Sequence, residues 1–183
     1  MNIPLQGSAA HGAGFEVPLE MLQACHGRVQ QQCELLQRLL GHVREHGADA
    51  QALDAVQRIR RYFDTAARDH HADEEQDLFP ALLEAMAGSD AVCIRNMMRR
   101  VQAEHRELEA RWLGLRDALQ AVQAGDAASL REALVQDFIA AYTAHIDYEQ
   151  AEVLPMAGRL LDDEQLQRIG RAMRERRGVT ELP

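Results

Sequence analysis

His70-His71-Ala72-Asp73-Glu74-Glu75-Gln76-Asp77-Leu78-Phe79-Pro80 has a later counterpart in His145-Ile146-Asp147-Tyr148-Glu149-Gln150-Ala151-Glu152-Val153-Leu154-Pro155. In both stretches a His is followed four residues on by Glu and ten residues on by Pro. On a helix, positions four apart project from one face, so each copy presents an imidazole and a carboxylate to the same point. A single His-x-x-x-Glu is an ordinary helical surface pair. Two copies with matching Leu/Val-x-Pro ends predict a paired metal site inside a helical fold.

The rest of the chain suits that fold. Its 183 residues fit one domain with a small appendage, and 46% hydrophobic residues supply a sizeable core. Aromatics make up only 4%, so the core is built from Leu, Val, Ile, Ala and Met, a composition that favours helices over strands. A formal net charge of -9 gives nucleic-acid or anionic-membrane binding no electrostatic support. Cys25, Cys33 and Cys93 form no C-x-x-C, and no signal-like segment or run of 18 apolar residues occurs. This usage predicts a reducing, cytoplasmic setting.

Residues 1–17, with Pro4, Gly7, Gly12 and Gly14, lack any hydrophobic period and are expected to form an irregular lead-in, which makes His11 a loop residue. From Pro18 the apolar positions Leu22, Val29, Cys33, Leu36, Leu40 and Val43 recur at spacings of three and four, with His26 in the same stripe. His42 and His46 fall at the end of that helix, suited to solvent and the helix dipole. Gly47 and Asp49 give a stop and a new N-cap. Val56, Ile59, Phe63, Ala67, His70, Glu74 and Leu78 then line a second helix, with a kink or separate turn expected at Pro80. Gly88 and Ser89 break the chain before a third stripe from Ile94 through Val101, His105, Leu108 and Trp112 to Val122. A turn at Gly125-Asp126 leads to a fourth, Leu134, Phe138, Ala141, His145, Glu149 and Val153. Residues 159–183 are expected to add a short helix opened by Asp162-Asp163-Glu164, whose arginines Arg171, Arg174, Arg176 and Arg177 form a solvated face. The fold class is all-α, an up-and-down four-helix bundle over 18–158 with a short C-terminal helix.

Distances from the turns set the register. His26 lies 21 to 22 residues before the turn near 47–48 and His70 22 to 23 after it, while His105 and His145 are both 20 residues from Gly125. All four helices thus bring a core-facing histidine to one layer, within a turn at ~1.5 Å per residue. Four imidazoles with Glu74 and Glu149 at that depth are costly unless a cation satisfies them. Imidazole and carboxylate suit iron, manganese or zinc, and the layer holds no thiolate, since Cys25 points about 100° away from His26. Six ligands exceed the needs of one ion with room to react. The economical arrangement is two ions, His26 and His70 on one, His105 and His145 on the other, with Glu74 and Glu149 shared. Glu75, Glu104 or Glu109 is available as a further carboxylate. Asp69, Asp73, Asp77, Asp147 and Glu152 are expected mainly on solvated faces, and Tyr62, Tyr142 and Tyr148 mainly in packing roles.

The ordered set of His in the first helix, His-x-x-x-Glu-Glu-x-x-Leu-Phe-Pro in the second, His in the third and His-x-x-x-Glu in the fourth resembles the hemerythrin-like HHE cation-binding domain. The resemblance covers roughly residues 18 to 158. It implies a non-haem di-iron centre, two iron ions bridged by an oxo or hydroxo group, while the ligand types alone leave manganese or zinc open. It also implies small ligands such as dioxygen, nitric oxide or peroxide and a redox partner, with roles in storage, sensing or stress response. An enzymatic role in reducing peroxide or nitric oxide, or in donating iron for iron-sulfur repair, is the alternative. Oxygen carriers of the family have a second third-helix histidine, where this chain has Val101 and Glu109, so a five-histidine set is not expected.

Overall fold

The computed structural model describes residues 14–86 and 91–179, and apart from short turns these are helical, with no strand among them. The first helix, α1 (Pro18–His46), ends at Gly47, whose φ of 73° favours glycine and whose N–H donates to the Val43 carbonyl. The second, α2 (Ala50–Asp64), starts where the Asp49 side chain accepts the Ala52 N–H at 2.9 Å, as the Gly47 and Asp49 signals predict. After a break at Thr65 come α3 (Ala66–Asp73), a π turn (Glu74–Leu78) and α4 (Phe79–Ala85). The long α5 (Ala91–Gln123) is followed by a short 3₁₀ turn (Ala127–Ser129), α6 (Glu132–Tyr148), a second π turn (Glu149–Val153) and α7 (Leu154–Leu160). Last is α8 (Asp163–Arg176), which opens with a capping box between Asp162 and Gln165. The expected break at Gly88-Ser89, His11 and most of the lead-in lie outside the described residues.

The sequence repeat is also a backbone repeat. Proline has no N–H, and its ring crowds the carbonyl four residues back. Each copy meets this by widening one turn ahead of its proline. The Phe79 N–H donates to the Glu74 carbonyl and the Leu154 N–H to the Glu149 carbonyl, five residues back in each case. The helix therefore continues through Pro80 and Pro155, and each π turn begins at the glutamate of its motif. Such insertions are frequent at functional sites.

Around the core, α1 packs on α2, α2 on α5, α5 on α6 and α6 back on α1. Side-chain pairs such as Arg44 with Glu132 and Gln37 with Gln136 fall in opposite senses along α1 and α6, as do Asp64 with Trp112 and Glu75 with His105 along the second stretch and α5. Two apolar clusters fill the interior. One centres on Phe63, whose ring lies 5.0 Å from Trp112, 5.0 Å from Phe138 and 5.4 Å from Tyr142. The other gathers Leu22, Leu78, Phe79, Leu82, Ile94, Val101, Val153 and Met173. The predicted histidine layer lies between them.

The C-terminal helix corrects one expectation. Ile169 and Met173 are buried in the second cluster, and a Cβ at Gly170 would fall 2.0 Å from the Phe15 carbonyl oxygen, so only glycine fits there. Arg176 and Arg177 do not form a solvated face. Both donate to Asp73, which is 0% exposed, Arg177 Nη2 reaching Oδ2 at 2.6 Å, while Arg176 also reaches Asp77 at 2.7 Å. Asp73 is buried because α8 crosses over the π turn, a long-range contact that periodicity does not reveal.

Candidate metal centre

The six predicted residues His26, His70, Glu74, His105, His145 and Glu149 come together, each buried. Both π turns place their glutamates at the centre of the layer, and the carboxylates share out their oxygens in one pattern. Glu74 sets Oε1 at 3.5 Å from His70 Nε2 and Oε2 at 3.2 Å from His105 Nε2. Glu149 sets Oε2 at 3.0 Å from His26 Nε2 and Oε1 at 3.2 Å from His145 Nε2. Each carboxylate thus faces one histidine pair with one oxygen and the other pair with the second. Two four-residue groups result, His26, His70, Glu74 and Glu149 in one, and Glu74, His105, His145 and Glu149 in the other, each with its donor atoms within 4.8 Å of one another.

These close approaches are not hydrogen bonds. All four oxygens of Glu74 and Glu149, and the Nε2 atoms of His26, His105 and His145, are buried without a hydrogen-bond partner among the described residues. Atoms that approach to 3.0–3.7 Å without aligning on one another are aimed at a shared point, as neighbouring donors on an ion with bonds of ~2.1 Å are. Cys25 stays out of both groups, its sulfur accepting from Arg28 at 2.9 Å. A nitrogen and oxygen donor set of this kind fits iron, manganese or zinc.

Two outer carboxylates fix the imidazoles. Glu75 meets His105 Nδ1 at 2.7 Å, and Glu104 meets His145 Nδ1 at 3.0 Å, which turns both Nε2 atoms inward. Arg100 holds Glu104 at 2.8 Å and lies over the Tyr148 ring. Glu75 and Glu104 therefore back histidines rather than joining the carboxylate pair, and Glu109 is exposed. Tyr62 donates to the Cys25 carbonyl at 3.3 Å, Tyr142 is buried, and His42 pairs with Asp49 at 2.8 Å, well away from the layer.

The buried groups of the layer shift one another's proton affinities in opposite directions. Burial, and then the neighbouring Glu149, push the Glu74 carboxyl well above its usual range. Burial acts the same way on Glu149, but His105, His26, His145 and His70 outweigh it and hold that carboxyl well below. Burial opposes the charge on His105, yet Glu149, Glu74 and Glu75 raise it to about 10. Burial and the neighbouring imidazoles keep His70 and His71 well below 6.5.

His71 is the member that the sequence reading missed. Its ring stacks on His105 with centroids 3.9 Å apart and planes 11° from parallel, and its Nε2 is buried without a partner. His71, His105 and His145 form a third group of close donor atoms, so five histidines line the layer where four were expected. In a square arrangement of helices the two neighbours of any helix lie about 90° apart, and one residue step turns about 100°. Adjacent His70 and His71 therefore face different neighbours, His70 toward His26 on α1 at 4.9 Å and His71 toward His105 on α5. The dipeptide His70-His71 was the available signal.

No helix among the described residues is long and apolar enough to cross a membrane. An uncharacterized protein of Haemophilus influenzae is 31% identical over 169 residues, covering 92% of this chain and 95% of the relative. Residues 17–157 match the family model for the hemerythrin HHE cation-binding domain, a span that contains every histidine and glutamate of the layer. With that match over most of its length, the chain belongs to the hemerythrin HHE cation-binding domain family.

Proposed function

We propose that the protein holds a non-haem di-iron centre within an up-and-down four-helix bundle, with His26 and His70 on one ion, His105 and His145 on the other, and Glu74 and Glu149 bridging. The observation that carries this reading is the division of each buried carboxylate between the two histidine pairs. A single ion would leave one pair and two carboxylate oxygens unsatisfied in the core. The centre binds a small ligand, dioxygen or nitric oxide, in storage, sensing or a stress response. Iron held there would supply redox chemistry and Lewis acidity. The protein's own part is to orient the imidazoles through Glu75 and Glu104 and to enclose the layer between two apolar clusters.

Anaerobic loading with ferrous iron followed by exposure to air tests this. A near-ultraviolet band of an oxo-bridged diferric pair is expected, and its absence from iron-loaded protein would count against the reading. Adding nitric oxide or peroxide with an electron donor separates binding from catalysis. Stoichiometric uptake supports a binding protein, whereas sustained turnover supports the enzymatic alternative, reduction of those ligands. Transfer of iron to an apo iron-sulfur protein would indicate iron donation.

A further inference from the structure

A cleft of ≈ 290 Å³ opens between α3 and α5 and ends against His71, His105 and Tyr142, with Phe63, Ala67 and Trp112 among its walls. It brings the surface to the edge of the buried layer on the side of His105. A water molecule takes up ~30 Å³ of liquid, so molecules of a few atoms fit.

His71 stands at the inner end of this cleft, and its geometry separates it from the other four histidines. A metal–imidazole bond lies in the plane of the ring. The planes of His71 and His105 are nearly parallel with centroids 3.9 Å apart, so one ion cannot lie in both. His71 shares close donor contacts with His105 and His145 but belongs to neither group that contains the carboxylates. It therefore stands next to the His105 and His145 pair, stacked on His105 and edge-on to His145 with centroids 5.8 Å apart, without joining the carboxylates. The Nδ1 atoms of His105 and His145 are occupied by Glu75 and Glu104, whereas the buried Nε2 of His71 has no partner. A buried ring nitrogen without a protein partner is costly and marks the place of a partner from outside the chain.

We propose that this cleft is the entrance for a small ligand of two or three heavy atoms bearing a hydrogen-bond acceptor, and that His71 receives it with an Nε2–H hydrogen bond beside the His105/His145 ion. The inference rests on the di-iron reading, and azide serves as the probe. Iron-loaded, air-oxidised wild-type protein and the variants His71→Ala, His71→Gln and Ala72→Phe, the last narrowing the cleft wall, are analysed for iron and titrated with azide by absorbance and infrared spectroscopy. All four are expected to hold the same iron. His71→Ala is expected to weaken azide about tenfold, the worth of one hydrogen bond to an anion, and to shift its asymmetric stretch. His71→Gln, which keeps an N–H, is expected to lie nearer wild type. Ala72→Phe is expected to slow azide association by more than it changes affinity.

An azide affinity within twofold of wild type and an unmoved stretch in an iron-replete His71→Ala protein overturn the hydrogen bond. Loss of an ion from His71→Ala overturns it differently, by making His71 a ligand. An unchanged association rate in iron-replete Ala72→Phe overturns the entrance. Wild-type protein that takes up no iron fails the di-iron reading itself, an outcome distinct from all of these.

Discussion

Replacing Asp73 by Ala is expected to loosen the C-terminal helix from the scaffold of the metal layer. Asp73 is wholly buried, directly precedes Glu74, and binds both Arg176 and Arg177. Burial pushes its carboxyl up, more strongly than the guanidiniums of Arg177 and Arg176 pull it down. The two guanidiniums therefore do not fully offset the desolvation of Asp73. Removing one partner is a different perturbation, because it strands two guanidiniums that are only 17% and 18% exposed. Stranding a fully buried charge costs ~3–5 kcal/mol. Here Arg176 keeps Asp77 and both arginines reach the edge of the fold, so a loss of about 2–3 kcal/mol is expected. At ~2–4 °C per kcal/mol for a chain of this size, Tm should fall by roughly 4–12 °C. Urea denaturation and thermal melts of chelator-treated protein measure both. The Asp73→Ala/Arg177→Ala double variant should show a coupling of ~1–2 kcal/mol. A change below ~0.5 kcal/mol in Asp73→Ala, or strictly additive single variants, would refute the role given to this contact.

Glu75→Gln and Glu104→Gln should each weaken one ion by ~10–100-fold in competition titrations with a chelator, since each removes the carboxylate behind one imidazole; equal weakening of both ions would contradict the pairing. The stability of metal-free protein should peak near pH ~6.5. Below that, His70 and His71 stay neutral in the fold while the unfolded chain protonates, so acid favours unfolding. Above it, the contribution of His105, whose pKa is raised to about 10, is progressively lost; denaturation at pH 5, 6.5 and 9 checks this, and a steady rise across that range would count against it. Metal-loaded protein at pH 8 should gain about 4 kcal/mol per site at ~1,000-fold excess over the dissociation constant, a gain that shrinks at pH 5 as protons compete for the ligands. His42→Ala should leave metal content unchanged by elemental analysis, because His42 faces Asp49 at the far end of α1.

What was legible in the sequence was whatever local spacing and turn positions determine. The repeated His-x-x-x-Glu, the stripes of three and four, and equal distances from Gly47 and Gly125 bring six residues to one depth, and the structure brings the same six together. Asp49 and Asp162 cap the helices that their chemistry predicts. The misses need contacts between distant parts of the chain. His71 lies one step off the stripe of α3 and becomes interior only because α5 stands beside it. Glu75 and Glu104 look like surface charges on their own helices, and only packing aligns them with His105 and His145. Asp73 is buried by Arg176 and Arg177 about a hundred residues later. The π turns were half legible: each proline announces an irregularity, but the choice of a wider turn over a break depends on the apolar packing of Leu78, Phe79 and Val153 that keeps the helix going.

The most direct test of the account is the number of ions per chain. Wild-type protein loaded anaerobically with ferrous iron at pH 8, desalted and analysed for metal and protein should retain two irons per chain, while His26→Ala and His105→Ala should each lose one ion in preference to the other. Retention of one iron or none by folded wild-type protein would contradict a carboxylate-bridged pair.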